Sequence, residues 1–469
     1  MCGTWRSATV RVMHRVLIAG SGVAAVEAVL ALRHLAGRNF EIDLLAPEHA
    51  LEHRPASVAT PFGLGAPPPL DLQRLARRYD VELVQDELLA VDPAAHAARL
   101  TSGAKWPYDH LLIAVGARPE PALPGALTFR GPVDVPAVER VLAEVTRGDR
   151  RHVVVVVPPR STWPLPAYEL AVMAATETRG VAGATVTLVT PEREPLWIFG
   201  DTAGTELREL LAERGVALRT AARAAHVTDD VLWLESGEGV IGDTVISLPR
   251  LVGPGIPGLP SDAGGFLPTD AHGYVRGVER VLAAGDATTF PVKQGGLATQ
   301  QADAAAAAIA QELGATVEAR PFAPVLRGLL LTGGAPLYLR AELDAEGGRR
   351  SGAARRRRLA GEVSSRALWW PPGKVAGRYL APYLSTARPA SLGDEPLVDR
   401  PPGAGGGDPD DRDAALDLAL LLADEDAEAG DLPQALHALD AAAALAGGVL
   451  PAAYAERRRR WLSETRSAP

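Results

Sequence analysis

Two short segments carry residue types that could do chemistry. The first is GSGVAA at residues 20–25, placed between an apolar strand-like run, RVLIA, and a helix-patterned stretch from Val23 to Leu35. Gly20 and Gly22 let the backbone turn sharply and approach a pyrophosphate, while small Ala25 allows the helix to pack closely on the strand. Amide groups at the helix N-terminus are then left facing the anion. The second is LAAGDAT at residues 282–288, where a strand ends on Gly285 and Asp286. That geometry lets the Asp286 carboxylate accept hydrogen bonds from a ribityl hydroxyl. It is followed by PVKQGGLATQQADAAAAAI, in which glycines including Gly296 open an alanine-rich helix whose positive end would stabilise an anionic reduced cofactor.

The elements that must position these residues follow from hydrophobic patterning. RVLIAG, a tight turn, a helix from Val23 to Leu35 and the strand EIDLLA open a dinucleotide-binding βαβ unit. After a turn-rich connection comes a helix from Leu70 to Tyr79, and the strand HLLIAVGA ends on Gly116. A second βαβ unit begins at HVVVVVPP, passes through an apolar helix around Tyr168 to Thr178, and returns as ATVTLVTPE. The chain then comes back through DTVISLPRLVG and VERVLAAGDAT to a helix over Leu297 to Leu313.

The fold class expected is therefore α/β, with two Rossmann-like dinucleotide-binding domains, the second inserted in the first. Residues 14–130 and 251–315 make the first of these domains and residues 131–250 the second. A small α+β interface domain spans 316–390. Proline, glycine and aspartate dominate a linker at 391–412, and a helical hairpin at 413–464 reads as a docking or self-association appendage. A chain of 469 residues is long enough for two or three such cores.

The ordered string GSGVAA, YDHLLIAVGA, GLPSDAGGFLPTDAHGYV and AAGDAT resembles that of FAD-dependent pyridine nucleotide-disulfide oxidoreductases, over roughly residues 14 to 315. It looks most like the branch with sulfide:quinone oxidoreductases and type II NADH dehydrogenases. The resemblance implies that Gly20, Gly22, Ala25, Gly116, Gly285 and Asp286 hold FAD. It also implies that His53, Arg54 and Pro55 line the isoalloxazine pocket. Glu169 in YELA falls where the family carries a helix glutamate near the flavin, and a buried carboxyl with a raised pKa could relay protons to a quinone. A helix-start carboxylate favoured by the dipole is the competing reading. Gln300 matches the second glutamine of the family's quinone-site AQxxxQ pattern, whose first position is Gly296 here.

The departures from the pattern constrain the chemistry further. The ribose-binding carboxylate expected after the second strand is absent, with Ala46 in its place and Glu48 two residues on, so adenosine recognition would use Glu48 or be looser. Sulfide oxidation in this branch runs through cysteines, and the single cysteine, Cys2, lies at the N-terminal leader. The second βα turn reads PPRSTWPLPAYELA, with no glycine, and Glu192 lies beyond the end of the next strand. That argues against a standard NAD(P)H site and leaves the donor open, NAD(P)H among the alternatives.

Lysine is scarce, at Lys105, Lys293 and Lys374 only, so Lys293 beside the glycine-opened helix is a candidate toward flavin or acceptor, against the alternative of a surface lysine. Trp369 and Trp370 suggest core packing, with a flavin wall or quinone patch as alternatives. The arginine run from Arg349 to Arg358 suggests a solvated loop.

A net charge of −9 argues against a nucleic-acid partner. With no apolar run long enough to span a bilayer, at most peripheral membrane contact and a cytoplasmic location are expected. The function expected is an FAD-dependent oxidoreductase passing electrons from an unidentified donor to a quinone or other acceptor, without redox cysteines. The alternative is a flavin-binding sensor or interaction protein with a degenerate nicotinamide domain.

Overall fold

The structure is a computed structural model that describes residues 13–65, 68–345, 347, 361–386, 432–446 and 450–467, with a few positions between 416 and 427. Cys2, the arginine run and the 391–412 linker lie outside the described residues.

Two all-parallel five-stranded sheets organise the chain. In the first the spatial order is Glu82–Val84, Glu41–Leu45, Arg15–Ala19, His110–Ile113, Val281–Ala283. The strand Arg15–Ala19 pairs in parallel with Glu41–Leu45 on one side and His110–Ile113 on the other, so the strand order reverses beside it. A doubly wound sheet binds its ligand at such a reversal, beyond the carboxyl ends of the strands. The second sheet repeats the arrangement with Val216–Arg219, Thr185–Val189, His152–Val156, Thr244–Ser247 and Leu127–Thr128. It takes in Leu127–Thr128, ahead of residue 131, because that strand pairs with Thr244–Ser247. The strands read as near-continuous aliphatic runs, as burial on both faces by helices requires.

Three helices position the cleft. Val23–Ala36 and Gly295–Glu312 lie against each other on one face of the first sheet, their alanines sharing one core. Leu165–Glu177 does the same for the second sheet. The third segment is an antiparallel sheet of Val325–Leu330, Leu337–Glu342 and Glu362–Ser364. Gly328 lets it seat against the second domain, since a Cβ there would come within 2.8 Å of Phe199 and 3.0 Å of Leu165. Trp369 is buried and meets Tyr338 edge-on at 5.1 Å, while Trp370 is half-exposed.

The C-terminal helices Leu432–Leu445 and Ala452–Ser467 use part of their apolar surface within the chain. Ala435, Ala438, Leu439 and Trp461 join the core of the first domain, and His437 Nε2 lies 2.6 Å from the Ser385 carbonyl. Among the described residues no helix is long and apolar enough to cross a membrane.

Candidate active site

A cleft of about 930 Å³ opens at the carboxyl ends of the first sheet and runs between the two dinucleotide-type domains and the third segment. At its first-domain end the turn after Arg15–Ala19 is built by close approach. Gly20 has φ +135°, and a Cβ there would stand 2.2 Å from the Ala114 carbonyl oxygen. The first intrahelical bond runs from the Val26 amide to the Gly22 carbonyl, so the amides of Val23 to Ala25 have no partner within the helix. Gly22, Val23 and Ala24 line the cleft, and a Cβ on Gly22 would meet nothing within 4 Å. Unpaired helix-start amides facing open space are what a bound pyrophosphate requires.

Most of the residues singled out in the sequence converge here. Gly20, Gly22, Glu48, Arg54, Pro55, Gly116, Gly285, Asp286 and Lys293 all line the cleft. Glu48 accepts a hydrogen bond from Ser21 Oγ at 2.6 Å, which places it beside the glycine turn. Gly285 is held open for Asp286 by Gln301, whose Oε1 accepts the Gly285 amide at 2.7 Å. Burial raises the pKa of the Asp286 carboxyl, and Lys293 and Arg54 nearby oppose that. Lys293 is buried, with Nζ donating to the Thr288 carbonyl and lying 4.2 Å from the centre of the Phe266 ring. Burial pushes its pKa down to about 8, against the attraction of Asp286.

Three expected site residues are placed elsewhere. Ala25 lies buried behind the turn and serves helix packing. Gly296 faces the Gln294 side chain and the Ala376 backbone instead of the cleft. Gln300 lies off the cleft lining: its Nε2 donates to the Gly296 and Val325 carbonyls at 2.7 and 2.9 Å, and its Oε1 accepts the Val325 amide at 2.9 Å. Its amide therefore splices the strand Val325–Leu330 onto the helix Gly295–Glu312.

Glu169 is fully buried and reaches the cleft through a residue the sequence gave no chemical reason to choose. Lys374, from the third segment, lines the cleft and donates to Glu169 Oε1, which also accepts the Leu331 amide at 2.8 Å. Among the described residues nothing hydrogen-bonds the buried Glu169 Oε2. Burial drives the Glu169 carboxyl up and the Lys374 ammonium down, each restrained by the other. Two groups pushed toward each other in this way favour exchange of a proton between them. The scarcity of lysine was the one sequence signal that could have marked Lys374.

The second domain's turn has the opposite construction to the first. Arg160 takes the left-handed conformation at φ +65°, and the Ser161 amide bonds back to the Pro158 carbonyl. Pro164 caps the helix Leu165–Glu177, Pro166 lacks an N–H, and the Ala167 amide is spent on the Pro164 carbonyl. Glu192 is turned inward, accepting from Tyr168 Oη at 2.7 Å and Thr190 Oγ1 at 3.0 Å. The loop Ser161–Trp163 instead lines the cleft of the first domain.

Residues 14–157 match the family model described as pyridine nucleotide-disulphide oxidoreductase. Among solved structures, the sulfide:quinone oxidoreductase from the hyperthermophilic bacterium Aquifex aeolicus superposes with a TM-score of 0.66 at 18% identity, covering 75% of this chain and 87% of that one. The ferredoxin reductase for the CYP199A2 system from Rhodopseudomonas palustris gives 0.56 at 21% identity over 70% and 82%. NDH2 from Plasmodium falciparum gives 0.50 at 15% over 59% and 64%. No curated protein sequence matches the chain significantly. Residues 14–157 thus match that family model, and the chain shares the fold of these solved reductases.

Proposed function

We propose that this protein is an FAD-dependent oxidoreductase that delivers electrons and protons to a quinone or a similar two-electron acceptor. The observation that carries the reading is the glycine-built helix start facing a cleft that also holds Asp286 and Lys293. FAD fits this donor set: helix-start amides for the pyrophosphate, Asp286 for ribityl hydroxyls, and Glu48 beside the turn for the adenosine end. When bound, the flavin supplies storage of an electron pair between donor and acceptor.

The chain's own groups supply the rest. Lys293 sets a positive charge in the cleft wall, where reduction would place negative charge. Lys374 and Glu169 form a proton-holding pair with the ammonium at the cleft and the carboxyl behind it. A quinone needs both electrons and protons, which favours such a pair at the acceptor side. The proline-closed second turn and the inward Glu192 support a donor other than a nicotinamide nucleotide.

The test is the flavin itself. Purified protein should show the visible flavin band or acquire it on adding FAD, and donor-reduced protein should reduce a quinone analogue. Protein that neither carries nor takes up flavin sinks the reading. The closed second turn equally favours a flavin-binding sensor, a reading that wins if no donor in a broad panel reduces the bound flavin.

A further inference from the structure

The first helix, like Leu165–Glu177, carries a fully buried glutamate. Glu27 is the fifth residue of Val23–Ala36, as Glu169 is the fifth of Leu165–Glu177, and both are fully buried. Each accepts backbone amides from the third segment: Leu331 at Glu169, and Tyr379 and Leu380 at Glu27, the latter at 2.8 and 2.6 Å. The Arg378 amide and the Asp303 side chain also hydrogen-bond the Glu27 carboxyl. The two equivalent helix positions thus grip the same segment from opposite domains.

Between the two grips runs a short strap, residues 374–380. It starts at Lys374, which is paired with Glu169 in the cleft wall. Val375 lies against Gly295, where a Cβ would come within 3.3 Å of it, and the Ala376 carbonyl is 3.4 Å from Thr299 Oγ1. Gly377 passes where no side chain fits, since a Cβ would stand 2.5 Å from Glu27 Oε2 and 3.0 Å from Thr299 Cγ2. The strap therefore threads between the helices Val23–Ala36 and Gly295–Glu312, and ends on the Glu27 carboxyl.

We propose that Glu27 is a positioning residue for Lys374: by holding the Tyr379 and Leu380 amides it tethers the strap, and the strap fixes the Lys374 ammonium in the cleft wall against Glu169. The proposal rests on the functional reading only in giving that ammonium a role at the reaction site. A carboxyl at this depth is costly to bury unless its hydrogen bonds are made, and here they are made to the segment that ends the strap.

Three lysines in the whole chain make the test direct. Amine labelling of the purified holoprotein, resolved by mass spectrometry, compares exposed Lys105 with Lys293 and Lys374 in the wild type, E27Q and E27A. Loss of charge-assisted hydrogen bonds to a buried segment should raise Lys374 labelling relative to Lys105 by about tenfold or more in E27A, and by less in E27Q, which keeps one acceptor. Lys293 labelling should stay unchanged. Lys374 protection equal to wild type in a folded variant would overturn the proposal, as would a parallel rise at Lys293, which marks general loosening. If E27A does not fold, E27Q against wild type decides. Flavin content is recorded separately, so wild-type protein without flavin defeats the functional reading and leaves the labelling result intact.

Discussion

The Lys374 ammonium meets one oxygen of the Glu169 carboxyl while the other oxygen, also buried, has no hydrogen-bond partner among the described residues. The pair joins the third segment to the second domain and puts one ionisable head at the cleft and one behind it. Removing the cation alone should be the harsher change, because it strands a buried carboxylate. K374M is expected to lose about 3–5 kcal/mol if the carboxylate stays charged, whereas E169Q/K374M loses much less. Denaturant unfolding of the four proteins of the cycle measures the difference. If the pair relays protons to the acceptor, E169Q should lower kcat more than KM in quinone-analogue turnover, since such a relay acts after binding.

Lys293 gives a pH dependence with a definite sign. Burial pushes its pKa down to about 8, so the folded protein releases its proton before the unfolded chain does. Between pH 8 and the ordinary lysine value near 10.4 the unfolded state binds more protons, and stability from this group rises with pH. Below pH 8 the buried ammonium is a liability. K293M should therefore gain stability relative to wild type as pH falls from about 10.4 to about 8, and keep that gain at lower pH. If the ammonium neighbours the flavin, the wild-type absorbance should titrate near pH 8 and the K293M absorbance should not. A flavin spectrum flat across that range in both proteins would remove Lys293 from the flavin's surroundings.

How far the sequence could be read depended on how local each feature is. Gly20, Gly22, Gly285 and Asp286 were legible because strand, turn and helix are contiguous, so spacing alone fixes where the backbone opens. Lys374, Glu27 and the Tyr168–Glu192 bond were not, since each depends on contacts across 24 to 353 residues of chain. Gln300 combines both cases. Its motif position is local, but its partner strand Val325–Leu330 is set by tertiary packing.

Gly20 is the sharpest test of the cofactor end. With φ at +135° and the Ala114 carbonyl 2.2 Å from any Cβ, G20A must displace the turn from the neighbouring strand loop. Flavin occupancy should fall to near zero, or the protein should fail to fold. G22A is milder, since its Cβ meets no protein atom within 4 Å but projects where the pyrophosphate would lie. It should fold normally with flavin affinity reduced by roughly tenfold to a hundredfold, the range for losing a close backbone contact to a charged group. Equilibrium titration of apoprotein with FAD distinguishes the two, and a G22A protein with wild-type affinity would move the pyrophosphate away from this turn.

The second turn predicts indifference to nicotinamide nucleotides. A dinucleotide there would need helix-start amides and a ribose carboxylate, yet Pro164 and Pro166 flank the helix start, Ala167 spends its amide internally, and Glu192 is held by Tyr168 and Thr190. Anaerobic stopped-flow mixing with NADH or NADPH should leave the flavin oxidised while dithionite bleaches it. Y168F releases one hydrogen bond on Glu192 but restores no amide, so it should remain unreactive. A P164G/P166A variant regains an amide donor at residue 166 and a flexible turn, and should bind NADH more tightly than wild type by calorimetry. Rapid bleaching of the wild-type flavin by either nucleotide would mean that the pyrophosphate is held by side chains of this turn, with Arg160 as the first cation to substitute.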